Sequence, residues 1–97
     1  MSRQAARVDD NQGEIVAYLR SMGASVQVLS AVGRGCPDLL VGYRQRNMLV
    51  EVKDGDKPPS KRKLTPDERE WHALWRGEVR IAESIDDART ILEAMWP

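Results

Sequence analysis

Three charged residues sit at the ends of two apolar runs: Asp38 at the head of Leu39-Leu40-Val41-Gly42-Tyr43, and Glu51 and Lys53 at the tail of Met48-Leu49-Val50-Glu51-Val52-Lys53. Side chains alternate along a strand, so Glu51 and Lys53 share one face while Val50 and Val52 take the other. A hairpin through Arg44-Gln45-Arg46-Asn47 brings Asp38 to the same face. With the turn about Gln45-Arg46, Asp38 lies opposite Lys53 and diagonal to Glu51, their backbones roughly 7–8 Å apart. A one-residue slip of that register would scatter the three. Two carboxylates so placed reach one hard cation, and magnesium suits a site of one or two carboxylates plus phosphate oxygens, with the Val52 carbonyl as a further oxygen. Like charges brought together also demand a cation, a proton or Lys53 to balance them. Lys53 is placed to polarise water and to stabilise charge developing on a phosphate, which is the chemistry of metal-assisted phosphodiester hydrolysis.

The elements that position these residues follow in chain order. Residues 1–10 show no period and are expected to form a flexible arm before one domain over 11–97. A first helix starts near Asn11, where Asn11 and Glu14 form a capping box, Ile15, Val16, Leu19 and Met22 an apolar stripe, and Gly23 the exit. Ala24 to Leu29 reads as a strand, and Gly33-Arg34-Gly35-Cys36-Pro37 as a loop. The near-continuous apolar runs of the hairpin imply central strands with helices over both faces. After a hydrophilic loop from Asp54 to Lys63, Thr65-Pro66-Asp67-Glu68 opens a second helix by a cap, a proline and a capping box, and Gly77 ends it. Its residues Trp71, Leu74 and Trp75 are spaced as a core or dimer-interface face, although tryptophans also stack on unpaired bases. Val79 to Ala82 is a short strand, and Ser84 caps a last helix carrying Ala88, Ile91, Leu92 and Met95 inward. The order is α-β-β-β-α-β-α, an α/β fold with a mixed central sheet flanked by helices.

Composition narrows the class. A chain of 97 residues buries roughly 60–65% of its unfolded surface, so association into a dimer would help it. No apolar run nears the ~20 residues of a membrane span and Met1-Ser2-Arg3-Gln4 lacks the apolar stretch of a signal peptide, so a soluble cytoplasmic or otherwise intracellular protein is expected. A single cysteine, Cys36, rules out an internal disulfide framework and a Cys-rich zinc site, and reads as a small packed thiol. Net charge is zero, yet its distribution is uneven. Lys53, Lys57, Lys61, Arg62 and Lys63 crowd one loop, whereas the chain from Asp67 onward is acidic. With Arg34 nearby, Lys57, Lys61, Arg62 and Lys63 are the candidate contacts to a nucleic-acid backbone.

The motifs carry a family resemblance. Pro37-Asp38, followed after twelve residues by Glu51-Val52-Lys53, is similar to the PD-(D/E)xK nuclease signature, whose restriction-endonuclease-like core has this element order. Gly35-Cys36-Pro37-Asp38-Leu39-Leu40-Val41-Gly42, Glu51-Val52-Lys53-Asp54-Gly55 and Leu64-Thr65-Pro66-Asp67-Glu68 resemble the VRR-NUC (virus-type replication-repair nuclease) family, over roughly residues 11 to 93. Bare Glu-x-Lys is a weak signal; the whole set in this order is a strong one. The resemblance implies that Asp38 and Glu51 bind Mg²⁺ or Mn²⁺, that Lys53 is the catalytic lysine, and that Glu14 is a further acidic ligand, direct or through water. It also implies a homodimer that cuts branched DNA, as Holliday-junction resolvases do. Many relatives carry glutamine at or near the place of Glu68, where this chain departs.

The expected activity is therefore that of a divalent-metal-dependent DNA endonuclease selective for DNA structure. The alternative is a catalytically inactive nucleic-acid-binding or assembly module with the same fold, which would be expected to lack one of Asp38, Glu51 and Lys53. A plainer reading of Asp38 and Lys53 is a cross-strand pair worth a few tenths of a kcal/mol. Glu68 is explained by its capping role, and His72, the single histidine, by helix packing.

Overall fold

A computed structural model describes residues 8–96. Of the arm expected over residues 1–10, residues 1–7 lie outside the described residues; Asp9 is tied to the first helix by its carbonyl, which accepts from Gln12 N at 3.0 Å. Helix α1 spans Gln12–Ser21 and buries Gln12, Ile15, Val16 and Leu19. Gly23 follows it with φ +95°, the left-handed exit that glycine adopts without a Cβ penalty.

The capping box expected at its start does not form. The Asn11 side chain makes no cap bond to α1; its Nδ2 instead donates to the carbonyls of Lys53 at 3.1 Å and Glu83 at 3.2 Å. Carbonyls shielded from water need donors, and Asn11 meets that need across the fold rather than along its own helix.

Strand β1 is Ser25–Val28, β2 Leu39–Tyr43, β3 Arg46–Val52 and β4 Val79–Ala82, in the linear order β1-β2-β3-β4. The first three are antiparallel and β4 joins β3 in parallel. The β2–β3 turn is tighter than expected. Tyr43 pairs with Arg46, and the two linking residues, Arg44 and Gln45, take left-handed φ of 52° and 71°. That pattern belongs to the type I′ turn, whose twist matches that of the strands even when no glycine supplies it.

One face of the sheet is closed. Leu39, Val41, Met48, Val50, Val52 and Ala82 meet Ile15, Val16 and Leu19 of α1. Helix α3, Ile85–Ala94, adds Ala88, Ile91 and Leu92, with Met95 just beyond its end. Each leucine, isoleucine, valine or methionine among them contributes about 1.5–3 kcal/mol when removed from water. Ser84 Oγ caps α3 by accepting from Asp87 N at 3.1 Å.

The other face is only partly covered, by helix α2, Pro66–Leu74, which has no fully buried residue. Thr65 and Glu68 form the expected capping box. The helix nevertheless ends at Leu74, before Gly77, and its apolar face is not core: Leu74 is 71% and Trp75 48% exposed. Nine residues make a helix of about 13 Å, too short to roof the whole sheet. It lies over the end where Asp38, Glu51 and Lys53 emerge. The loop before β2 fixes its start, since Gly35 has φ +84° and any Cβ there would collide with the Asp67 carbonyl.

Candidate active site

The observed register, Leu39↔Val50 through Tyr43↔Arg46, continues to Asp38 opposite Glu51, not opposite Lys53 as expected. The pairing has moved by two residues, which preserves parity, so Asp38, Glu51 and Lys53 still share the open face. Asp38 is held by two protein donors. Its Oδ2 accepts from Val52 N at 2.7 Å and its Oδ1 from Ser30 Oγ at 3.5 Å, while Ser30 Oγ accepts from Gln12 Nε2 at 3.1 Å. N–H and C=O of one strand residue point to the same side, so the Val52 carbonyl is directed toward the Asp38 edge.

Glu51 is 2% exposed. Burial first, then the charge of Asp38 and a hydrogen bond with it, push the Glu51 carboxyl up to about 10. Its Oε1 lies 3.3 Å from His72 Nε2. Burial pulls the His72 imidazole down, favouring the neutral ring. Lys53 Nζ donates to Glu68 Oε1 at 2.7 Å, the oxygen that also accepts from Thr65 N at 2.9 Å. Burial disfavours the Lys53 ammonium, but the Glu68 hydrogen bond and charge outweigh it and hold the group above its ordinary value. Burial likewise opposes ionisation of Glu68, and Lys53 and the Thr65 N–H overcome it, so its carboxyl is held down as a carboxylate.

These groups line a cavity of about 730 Å³. Asp9, Asp38, Glu51, Lys53 and Glu68 contribute acids and the lysine; Arg34, Lys57, Lys61 and Lys63 bring exposed cations to the same walls. Two expected site residues are placed elsewhere. Arg62 does not line the cavity: its Nε donates to the Lys57 carbonyl at 2.8 Å and its Nη1 to Glu83 Oε1 at 3.1 Å, which anchors the loop. Glu14 is exposed and absent from the cavity. It follows buried Gln12 by two residues, about 200° around the helix, so it faces away. Asp9 stands where Glu14 was expected, and burial raises its carboxyl above the usual range.

The donor chemistry fits a magnesium-like ion. Asp38, Glu51 and the Val52 carbonyl are hard oxygens, and two carboxylates suffice for an ion that keeps several waters. The amide oxygen of Gln12 is buried without a protein partner, while its amide nitrogen donates to Ser30. Among the described residues no three His, Cys, Asp or Glu side chains form a metal-holding cluster, so the chain offers a dyad rather than a cage.

Three contributors escaped the reading of the sequence. Glu68 serves Lys53 as well as its helix cap. His72 lies one turn further, and its i, i+4 spacing from Glu68 is the signal that places both on the face turned to the site. Asp9 precedes any periodic segment and carries no such signal.

No protein-family model matches the chain, and no curated protein does. A solved structure described as a VRR_NUC domain aligns over 91% of this chain and 100% of its own, with a TM-score of 0.65 and 28% identity. The mixed four-strand sheet with its three helices thus matches a VRR-NUC nuclease fold.

Proposed function

We propose, with membership of the VRR-NUC nuclease family as the premise, that this chain hydrolyses DNA phosphodiester bonds with a divalent cation, Mg²⁺ or Mn²⁺. The carrying observation is the buried Asp38–Glu51 dyad beside Lys53, in a cavity whose walls also present Arg34, Lys57, Lys61 and Lys63. Asp38, Glu51 and the Val52 carbonyl would hold the ion, with Asp9 reached through water. When bound, the cation polarises the phosphate and lowers the pKa of attacking water.

The chain's own groups do the rest. Val52 N and Ser30 Oγ fix the Asp38 carboxylate, and His72 holds one oxygen of Glu51. Glu68 aims the Lys53 ammonium, which would donate a hydrogen bond to a non-bridging phosphate oxygen as water, losing a proton to solvent, adds at phosphorus and the bond to the leaving sugar oxygen breaks, that oxygen taking a proton from solvent. Lys57, Lys61, Lys63 and Arg34 neutralise neighbouring phosphates without reading sequence. Each chain has one such constellation, so cutting both strands of a branched substrate takes two copies. The reading therefore takes a homodimer acting on junction DNA as its working form. The alternative, a binding module without turnover, is disfavoured because Asp38, Glu51 and Lys53 are all present and share one face.

The test incubates the protein with a four-way junction, a flap and linear duplex in Mg²⁺, Mn²⁺ or EDTA, beside Lys53→Ala. Metal-dependent cleavage that falls by about 10²–10³-fold in the variant supports the reading. Equal cleavage by the variant, or none of any DNA in either metal, would sink it.

A further inference from the structure

The open face of the sheet continues past the carboxylates. Leu49 precedes Glu51 by two residues on β3, Leu40 follows Asp38 by two on β2, and Leu40 pairs with Leu49. That aliphatic pair therefore lies one row, about 7 Å, from the dyad. It borders a second cavity of about 450 Å³, to which Leu29, Asn47, Trp71 and Trp75 also contribute. Cys36 lines this cavity and the catalytic one alike, so the two adjoin. The Trp71 and Trp75 rings are stacked, 4.6 Å between centroids and 19° from parallel. Trp75 remains 48% and Leu40 36% exposed.

We propose that this second cavity receives an unpaired nucleobase of the strand whose phosphate lies at Asp38 and Glu51, with Trp75 as the stacking surface. The assignment rests on the nuclease reading and deepens it by naming a substrate class. A slot with an aromatic wall, an aliphatic floor, the uncharged amide of Asn47 and a rim glutamate, Glu78, whose charge is paired with Arg80 at 2.7 Å, matches a base, which has apolar faces and a polar edge. The distance is right as well, since one row of sheet separates the slot from the dyad, within reach of a base attached next to a bound phosphate. A base inside a continuous duplex has both faces covered by its neighbours and cannot enter without leaving the stack. Strands with unpaired nucleotides beside the cleaved bond, as in flaps, gaps and open junction arms, satisfy the slot directly. Stacking on an aromatic side chain tolerates any base, so this selects for structure and not for sequence.

The test compares binding of a homothymidine strand with that of an abasic strand of the same length by fluorescence anisotropy. Ca²⁺ replaces Mg²⁺ to balance the carboxylates, and strand integrity is checked on a gel. The wild type is expected to prefer the base-bearing strand roughly tenfold, within the range for one stacked base, and its tryptophan emission is quenched by that strand alone. Trp75→Ala removes the preference and Trp75→Phe restores most of it. The slot is overturned if the wild type binds both strands equally, or if the preference survives in Trp75→Ala. It is also overturned if sedimentation shows a dimer that Trp75→Ala dissociates, which assigns the face to a second copy of the chain. Cleavage assays on the same samples separate the two claims. A Trp75-dependent preference without metal-dependent cleavage removes catalysis and keeps the slot; cleavage without the preference removes the slot alone.

Discussion

Leu39 and Leu40 are neighbours in β2, yet Leu39 is fully buried and Leu40 is 36% exposed. The difference belongs to the two faces of one sheet. On the closed face Leu39, Val41, Met48, Val50, Val52 and Ala82 form an aliphatic core with α1 and α3. On the open face the same strands present Asp38, Glu51 and Lys53, then Leu40 and Leu49, and only the short α2 stands above them. Stability and chemistry are thus separated by the two-residue alternation of the strand, with the aliphatic core on one face and the two carboxyl groups of Asp38 and Glu51 together on the other.

Leucine truncation is the strongest way to break this comparison. Leu39→Ala is expected to lose about 2–5 kcal/mol, and Leu40→Ala, on the other side of the same strand, less than about 1 kcal/mol. Urea unfolding checks both; equal losses would mean that the open face is core as well.

A smaller effect concerns the charge stored on the open face. The Glu51 carboxyl is pushed up to about 10 in the folded protein, mainly by burial, from an ordinary value of 4.5. Between those values the folded state binds more protons than the unfolded one, so metal-free stability is full below about 4.5 and is lost as pH rises toward 10. His72, held low, stays neutral from pH 7 to 9 and does not mask the trend. In EDTA, Tm should therefore fall between pH 7 and 9. Glu51→Gln should raise Tm at pH 9 by about 4 °C or more, equivalent to about 1 kcal/mol in a domain of this size. Calorimetry showing a lower Tm for the variant would contradict the charge assignment.

The smallest effect separates the cavity walls from their anchor. Lys61→Ala should weaken DNA binding evenly across sequences and reduce the salt slope by about one. Arg62→Ala, whose side chain is committed to Glu83 and the Lys57 carbonyl, should leave that slope nearly unchanged and cost less than about 1 kcal/mol of stability. Affinity measured across a salt series distinguishes them.

Much of this was legible in the sequence because it depends on periodicity. Element order and type, the α2 capping box and the common face of Asp38, Glu51 and Lys53 follow from spacing alone. The register was displaced because Arg44 and Gln45 adopt left-handed φ without the glycine that usually announces it. The common face survived that error because the displacement was even. Other features depend on contacts distant in the chain. Asn11 could cap its own helix or bridge Lys53 and Glu83, and only the fold decides. Helical spacing puts Trp71 and Trp75 on one side of α2, but the length of that helix and the loop before it determine what they face. Glu14 faces outward because Gln12 faces inward, a helical phase that the expected capping box obscured.

The central claim is that Asp38 and Glu51 converge on the open face to hold one cation, and titration of Mn²⁺ followed by electron paramagnetic resonance tests it most directly. The wild type is expected to bind Mn²⁺, and Asp38→Asn and Glu51→Gln should each weaken binding by about tenfold or more while the circular dichroism stays unchanged. Mn²⁺ bound equally well by both folded variants would contradict the account.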